Sequence, residues 1–212
     1  MKLLDIHTHR PVQKECTSIF NCGTRYTAER WVSIGIHPWE IDNNSKELFT
    51  AIKETARLEN VTAIGECGID TLHSTASIEL QTEIFRSHAL LAEEIKKPLI
   101  IHCIKAFEQL IALHKEISPA QAWIIHGFRG KPQLATQLVR HGFHLSYGEK
   151  FNPDSVKATP LERIFTESDE SVKPIEDIYA TIAQAAEITT AELATAVFDN
   201  ATRCNILPKA QF

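Results

Sequence analysis

A distorted TIM-type (βα)8 barrel, an α/β fold, is what this sequence predicts, on three observations. Eight short apolar runs of β type punctuate the chain; amphipathic stretches with three- and four-residue apolar spacing stand between the later ones; and imidazoles and carboxylates recur where the apolar runs end. A chain of 212 residues can form one core. No linker, repeat or low-complexity tract divides it, so 1–212 is expected to be a single barrel domain.

The expected strands are LLDIHT (3–8), CTSIFNC (16–22), RWVSIGIH (30–37), VTAIGEC (61–67), PLIIHC (98–103), AWIIHGF (122–128), FHLSYG (143–148) and RIFTESD (163–169). Only about eight residues separate the first strand from the second and the second from the third, too few for a crossover helix, so helical coverage should be thin there. Helices are expected over 45–59, 77–97, 106–117 and 131–142, after the third, fourth, fifth and sixth strands. From Pro174 to Asn205 two more are expected, broken near EITT, where Thr189 or Thr190 can cap the second.

Hydrophobic residues make up 43% and charged ones 23%, which excludes a disordered chain. No apolar run approaches the roughly 18 residues of a bilayer span, and MKLLDIHTHR lacks a signal-type apolar core. A cytoplasmic protein with no membrane attachment is expected. A net charge of -5 and a pI near 6.1 argue against extended non-specific duplex binding. Five cysteines, 16, 22, 67, 103 and 204, are an odd number without C-x-x-C spacing, as reduced thiols would be.

In an extended first strand Asp5, His7 and His9 share one face and Leu4, Ile6 and Thr8 the other. Further polar residues close later runs: His37 in GIHPW, Glu66 in AIGECGID, His102 in LIIHC, His126 in WIIHGF, Glu167 and Asp169 in FTESD. In a βα barrel the C-terminal strand ends form one mouth, so residues distant in sequence converge. So much polarity needs a compensating ion, and neutral imidazole is the commonest metal ligand. Six nitrogen and oxygen donors exceed the set of one open catalytic zinc and point to two ions. Cys67 and Cys103, each following such a donor, should turn to the opposite face and pack in the core.

DIHTH, GIHPW, AIGECGID, ELQTEIFRSHALLAEEIKKPLIIHC, WIIHGFRG, HLSYG and TESD, in this order, resemble the TatD family of metal-dependent deoxyribonucleases in the amidohydrolase-like superfamily, over residues 1 to about 207. The resemblance implies His7 and His9 as ligands of one ion shared with Asp169, Glu66 bridging two ions, and His102 with His126 completing the second. Asp169 would orient or deprotonate the attacking water, with Glu66 as its catalytic companion. His37 would orient substrate phosphate or the ligands, and Asp5 and Glu167 would support the ligands from behind. The implied cofactors are two divalent ions (Zn, Mn or Mg), and the implied substrate is DNA, single-stranded or cleaved from an end, or another small phosphodiester. No obligate protein partner is evident.

Three departures from the family pattern stand out, and the third, with the missing early helix, marks a shortened member. Ile104 stands where the family carries Arg, leaving Lys105 as the nearby cation for phosphate; Gly127 replaces Cys in the HCF-type segment; and the RNEP-type loop after the acidic strand is missing. Amide, ester or lactone hydrolysis is therefore the alternative reading, and a non-catalytic metal-binding module a more distant one. Arg129 and Lys150, just past strand ends, can meet an anionic substrate. His73, His88, His114, His141 and His144 are expected on helices or loops as non-ligands, and Trp31, Trp39 and Trp123 as packing residues.

Overall fold

The eight apolar runs all become strands, because β-branched and aromatic residues fit a pleated, buried surface. In the computed structural model, which describes residues 2–10 and 16–207, they are β1 Leu3–Thr8, β2 Cys16–Asn21, β3 Val32–Ile34, β4 Val61–Asp70, β5 Leu99–Ile104, β6 Trp123–Ile125, β7 His144–Tyr147 and β8 Ile164–Thr166. They form one sheet in chain order, β1 to β8, with parallel pairing, and β8 leads back to β1 through a parallel bridge between Thr8 and Asp169. This is the strand order of a (βα)8 barrel.

The helices are α1 Ser45–Thr55, α2 Ile78–Ile95, α3 Phe107–Ile117, α4 Pro132–Arg140, α5 Pro153–Ala158, α6 Ile175–Ala186 and α7 Thr190–Arg203. All six expected helices are present. The short α5, at six residues, is too brief to leave a periodic signal. No helix lies between β2 and β3, in keeping with the thin coverage expected there. The expectation for the segment after β1 falls partly on 11–15, outside the described residues.

Residues group into two compact units, 1–20 with 124–212, and 21–123. In the first, β8 and β1 are joined by Asp169 N–H to the His7 carbonyl (2.9 Å) and His9 N–H to the Asp169 carbonyl (3.1 Å). The Tyr179 hydroxyl of α6 donates to the Leu4 carbonyl at 2.8 Å. Asn200, buried in α7, donates from its amide to the Ile164 carbonyl at 2.7 Å. Helix α7 opens with a capping box: the Thr189 hydroxyl accepts from Glu192 N–H while the Glu192 carboxylate accepts from Thr189 N–H.

In the second unit, β4 and β5 pair Gly68 with His102 and Ile69 with Cys103. Gly68 permits this closeness, since a Cβ there would stand 1.8 Å from the His102 carbonyl oxygen. Helix α2, capped by the Ser77 hydroxyl, buries Gln81, Ile84, Phe85, His88, Ala89 and Ala92 at helical spacing. His88 donates through Nδ1 to the Ile84 carbonyl (2.8 Å) and accepts the Ile36 N–H at Nε2 (3.0 Å), fixing the backbone just before His37. Both of its nitrogens are committed in the neutral form. Burial pushes its pKa down to about 4.

All five thiols are reduced, and Cys67 and Cys103 are buried as expected, their pKa values raised by that burial. Trp31 and Trp123 are packed, but Trp39 is 57% exposed, against the expectation of a packing residue. His144 opens β7 and so lies on a strand, with its ring against the Cys204 thiol.

Candidate metal centre

In the unit formed by 1–20 and 124–212, three strand ends supply donors. His7 is the penultimate residue of β1, His126 follows β6 directly, and Asp169 lies three residues beyond β8. Asp169 is held at φ 53°, a left-handed conformation that asparagine and aspartate tolerate better than most residues, by its two backbone hydrogen bonds to β1. Its carboxylate Oδ1 consequently stands 3.8 Å from His7 Nε2 and 3.6 Å from His9 Nε2. The His7 ring is 4.4 Å from that of His126 and 5.0 Å from that of His9. Single donor atoms of His7, His126 and Asp169 all lie within 4.8 Å of one another, a span that one cation can bridge.

Glu167 and Asp5 lie behind these donors. Glu167, fully buried, accepts the Gly127 N–H at 2.6 Å and faces His126 Nδ1 at 3.4 Å. Burial works to raise its pKa, but the neighbouring His126 and His7 imidazoles hold it below the usual carboxylate range. Asp5 accepts the Ser168 N–H (2.9 Å) and hydroxyl, and so anchors the residue before Asp169. Burial, with the charge of Glu167 adding to it, pushes the Asp5 carboxyl up to about 7 despite the Ser168 hydrogen bonds.

Strict alternation along β1 fails. Thr8 and Asp5 both reach the Ser168 hydroxyl, because the β1–β2 register shifts between Asp5 and Thr8.

In the 21–123 unit a second group forms. Glu66 Oε1 lies 2.9 Å from His102 Nδ1 and 3.1 Å from His37 Nε2, and the two imidazoles are 3.3 Å apart. These three also offer donor atoms within one cation's reach. Asn21, the last residue of β2, fixes the carboxylate: its amide donates to Glu66 Oε2 (3.2 Å) and its oxygen accepts the Glu66 N–H (3.3 Å).

Asp70, at the end of β4 and fully buried, takes five donors. Oδ1 accepts from the backbone N–H of Leu72 and His73, both at 2.9 Å. Oδ2 meets Trp39 Nε1 at 2.7 Å, His73 Nδ1 at 3.0 Å and His102 Nε2 at 3.1 Å. Burial opposes its charge, yet these donors hold the Asp70 carboxyl well below the usual range. A proton on His102 Nε2, donated to Asp70, leaves Nδ1 as the lone-pair nitrogen toward Glu66: the carboxylate–histidine arrangement that orients a metal-binding imidazole.

The sequence reading leaves out Asp70 and Asn21 and assigns Trp39 to packing. The IDTLH run directly after AIGECG, with Asp70 three residues before His73, was available for the first; nothing local marked the other two. Lys105, at φ 55° just after β5, and Arg129, after β6, are exposed, as is Lys150. No described helix is long and apolar enough to cross a membrane.

The model of a family described as TatD related DNase matches residues 4–205. An uncharacterized metal-dependent hydrolase of Bacillus subtilis, YabD, is 29% identical over 194 residues, covering 82% of this chain and 76% of its own. A protein of Erwinia amylovora named 3'-5' ssDNA/RNA exonuclease TatD is 33% identical over 149 residues, 66% of this chain and 57% of that one. Its namesake in Rahnella is 33% identical over 104 residues, or 49% of this chain, which spans only 40% of the relative's length. Among solved structures, YJJV, a TatD homolog from Escherichia coli, superposes with a TM-score of 0.80 at 18% identity over 97% of this chain and 98% of that one. At this identity the likeness extends to the fold.

Proposed function

The chain belongs to the TatD family of metal-dependent hydrolases, and on that premise we propose that it hydrolyses phosphodiester bonds of single-stranded DNA or RNA from an end. The observation that carries this reading is the pair of donor groups, His7, His126 and Asp169 in one unit and His37, Glu66 and His102 in the other, each spaced for a single cation. Mixed imidazole and carboxylate donors, with neutral thiols turned into the core, suit Zn²⁺ or Mn²⁺.

The resemblance places His126 with His102 on the second ion, whereas its closeness to His7 and Asp169 favours the first: in the proposed assignment His7, His9, His126 and Asp169 would hold one divalent ion, and Glu66 and His102 a second. Bound ions of this kind supply an acidified water and offset charge on the phosphate oxygens. The residues themselves do the rest. Asp169, beside two imidazoles, orients the attacking water and accepts its proton. Glu167 steadies His126, Asp70 fixes the tautomer of His102, and Asn21 immobilises Glu66. His37, 3.1 Å from Glu66, and the exposed Lys105 and Arg129 are the proposed contacts for substrate phosphate. We place the protein in the cytoplasm, where such substrates occur.

Ile104 in the place of the family's Arg favours one competing outcome, acyl-bond hydrolysis, and the test is built to expose it. Metal-loaded protein is assayed on short single-stranded DNA and RNA, bis(p-nitrophenyl) phosphate and acyl esters, with Asp169→Asn alongside. Phosphodiester turnover that falls about 10²-fold or more in Asp169→Asn is expected. Acyl turnover without phosphodiester turnover would refute the nuclease reading.

A further inference from the structure

Trp39 combines two properties that seldom occur together. Its side chain is 57% exposed, yet its polar edge is pinned at 2.7 Å to a carboxylate that is fully buried. Among the other exposed apolar residues described, Leu58, Leu90 and Val172 have no polar edge by which to be fixed, and Tyr26, whose hydroxyl donates to Asn60 at 3.0 Å, makes no ring contact with either donor group. The indole stands in the second donor group, its ring 4.8 Å from that of His37 and 5.9 Å from that of His102. The ring of His73, which also meets Asp70 Oδ2, lies 5.7 Å from the indole. All three imidazoles are steeply inclined to it, at 81°, 74° and 62°, so none covers an indole face by parallel stacking.

From this we infer that Trp39 is a stacking platform for one base of a single-stranded nucleic acid, placed beside the donors that act on the adjoining phosphate. The inference rests on the nuclease reading above. A nucleobase is the occupant that fits: planar, uncharged, and covalently attached to the phosphate that the neighbouring His37 and His102 group would engage. A protein partner fits poorly, because a stable interface needs about 800 Å² per side, whereas one indole and the neighbouring Leu72 offer a small fraction of that. Fixing the ring in advance lowers the entropy lost on stacking, and an aromatic π-face can stack against any base.

The test compares kcat/KM on a thymidine trinucleotide with that on a trimer of abasic tetrahydrofuran phosphodiesters, using metal-loaded wild type, Trp39→Ala and Trp39→Phe. The wild type should prefer the base-bearing trimer by about ten-fold, the size of one base–aromatic contact. Trp39→Ala should abolish most of that preference. Trp39→Phe, which keeps a ring and loses the bond to Asp70, should retain the larger part. Absence of a preference in the wild type, or equal losses on both trimers in Trp39→Ala, overturns the platform and leaves the nuclease standing. A Phe variant as impaired in preference as the Ala variant overturns it too, by assigning Trp39 a positioning role through Asp70. Failure of the wild type to cleave either trimer overturns both readings together.

Discussion

Asp70→Asn keeps the shape of a buried side chain while removing its charge and one of its two acceptors. In the native protein Oδ1 takes two backbone N–H groups and Oδ2 takes Trp39, His73 and His102. Either orientation of the amide sets an N–H against N–H donors. With the amide nitrogen toward Trp39, it also donates to His102 Nε2, and the imidazole proton moves to Nδ1, the atom 2.9 Å from Glu66 that must carry the lone pair. Turned the other way, the amide meets the Leu72 and His73 N–H groups. Losing two hydrogen bonds to a charged acceptor costs about 3 kcal/mol in the metal-free protein, and misorienting a ligand from behind costs about 10- to 100-fold in metal affinity. Urea unfolding of chelator-treated protein reads the first quantity, and calorimetric titration with Mn²⁺ or Zn²⁺ the second. A variant that binds the ions within two-fold of wild type would refute the claim that Asp70 sets the tautomer of His102.

Three further outcomes follow from other parts of the molecule. His88 titrates near 6.5 when unfolded and at about 4 when folded, so between those values the unfolded chain holds one more proton and stability falls as pH falls; His88→Gln should flatten this slope by about 1.4 kcal/mol per pH unit, measured by denaturant unfolding from pH 7 to 4.5, and an unchanged slope contradicts the neutral assignment. Gly68→Ala should destabilise the fold by about 3 kcal/mol, through the clash with the His102 carbonyl; a variant melting within 2 °C of wild type would show that β4 and β5 separate easily. Thr189→Ala removes one side of the capping box of α7 and should cost about 1 kcal/mol, with no loss of metal binding; an effect on metal uptake would contradict a purely local role.

Features governed by near neighbours in sequence could be read from the chain. The apolar runs name all eight strands, the three- and four-residue spacing names the long helices, and the Thr189–Glu192 pair signals its helix start. Residues at strand ends are likewise recognisable as candidate donors, because a parallel sheet turns sequence position into spatial position. What escaped depends on contacts across the fold. Asp70 lies three residues past the expected end of its strand, and its importance comes from donors as distant as Trp39 and His102. Trp39 reads as core by composition, whereas its exposure follows from a buried acid that holds it outward. Asn21 resembles an ordinary strand terminator until Glu66 is placed beside it. The face assignment for Thr8 failed because one register irregularity inverts alternation, and no sequence pattern announces it.

Metal content of the purified protein tests the central claim most directly. Chelator-stripped protein, reloaded with Zn²⁺ or Mn²⁺, desalted and measured by elemental analysis, should retain about two equivalents per chain, falling to one or none in Glu66→Ala. Wild-type protein that retains no metal after reloading would contradict the account.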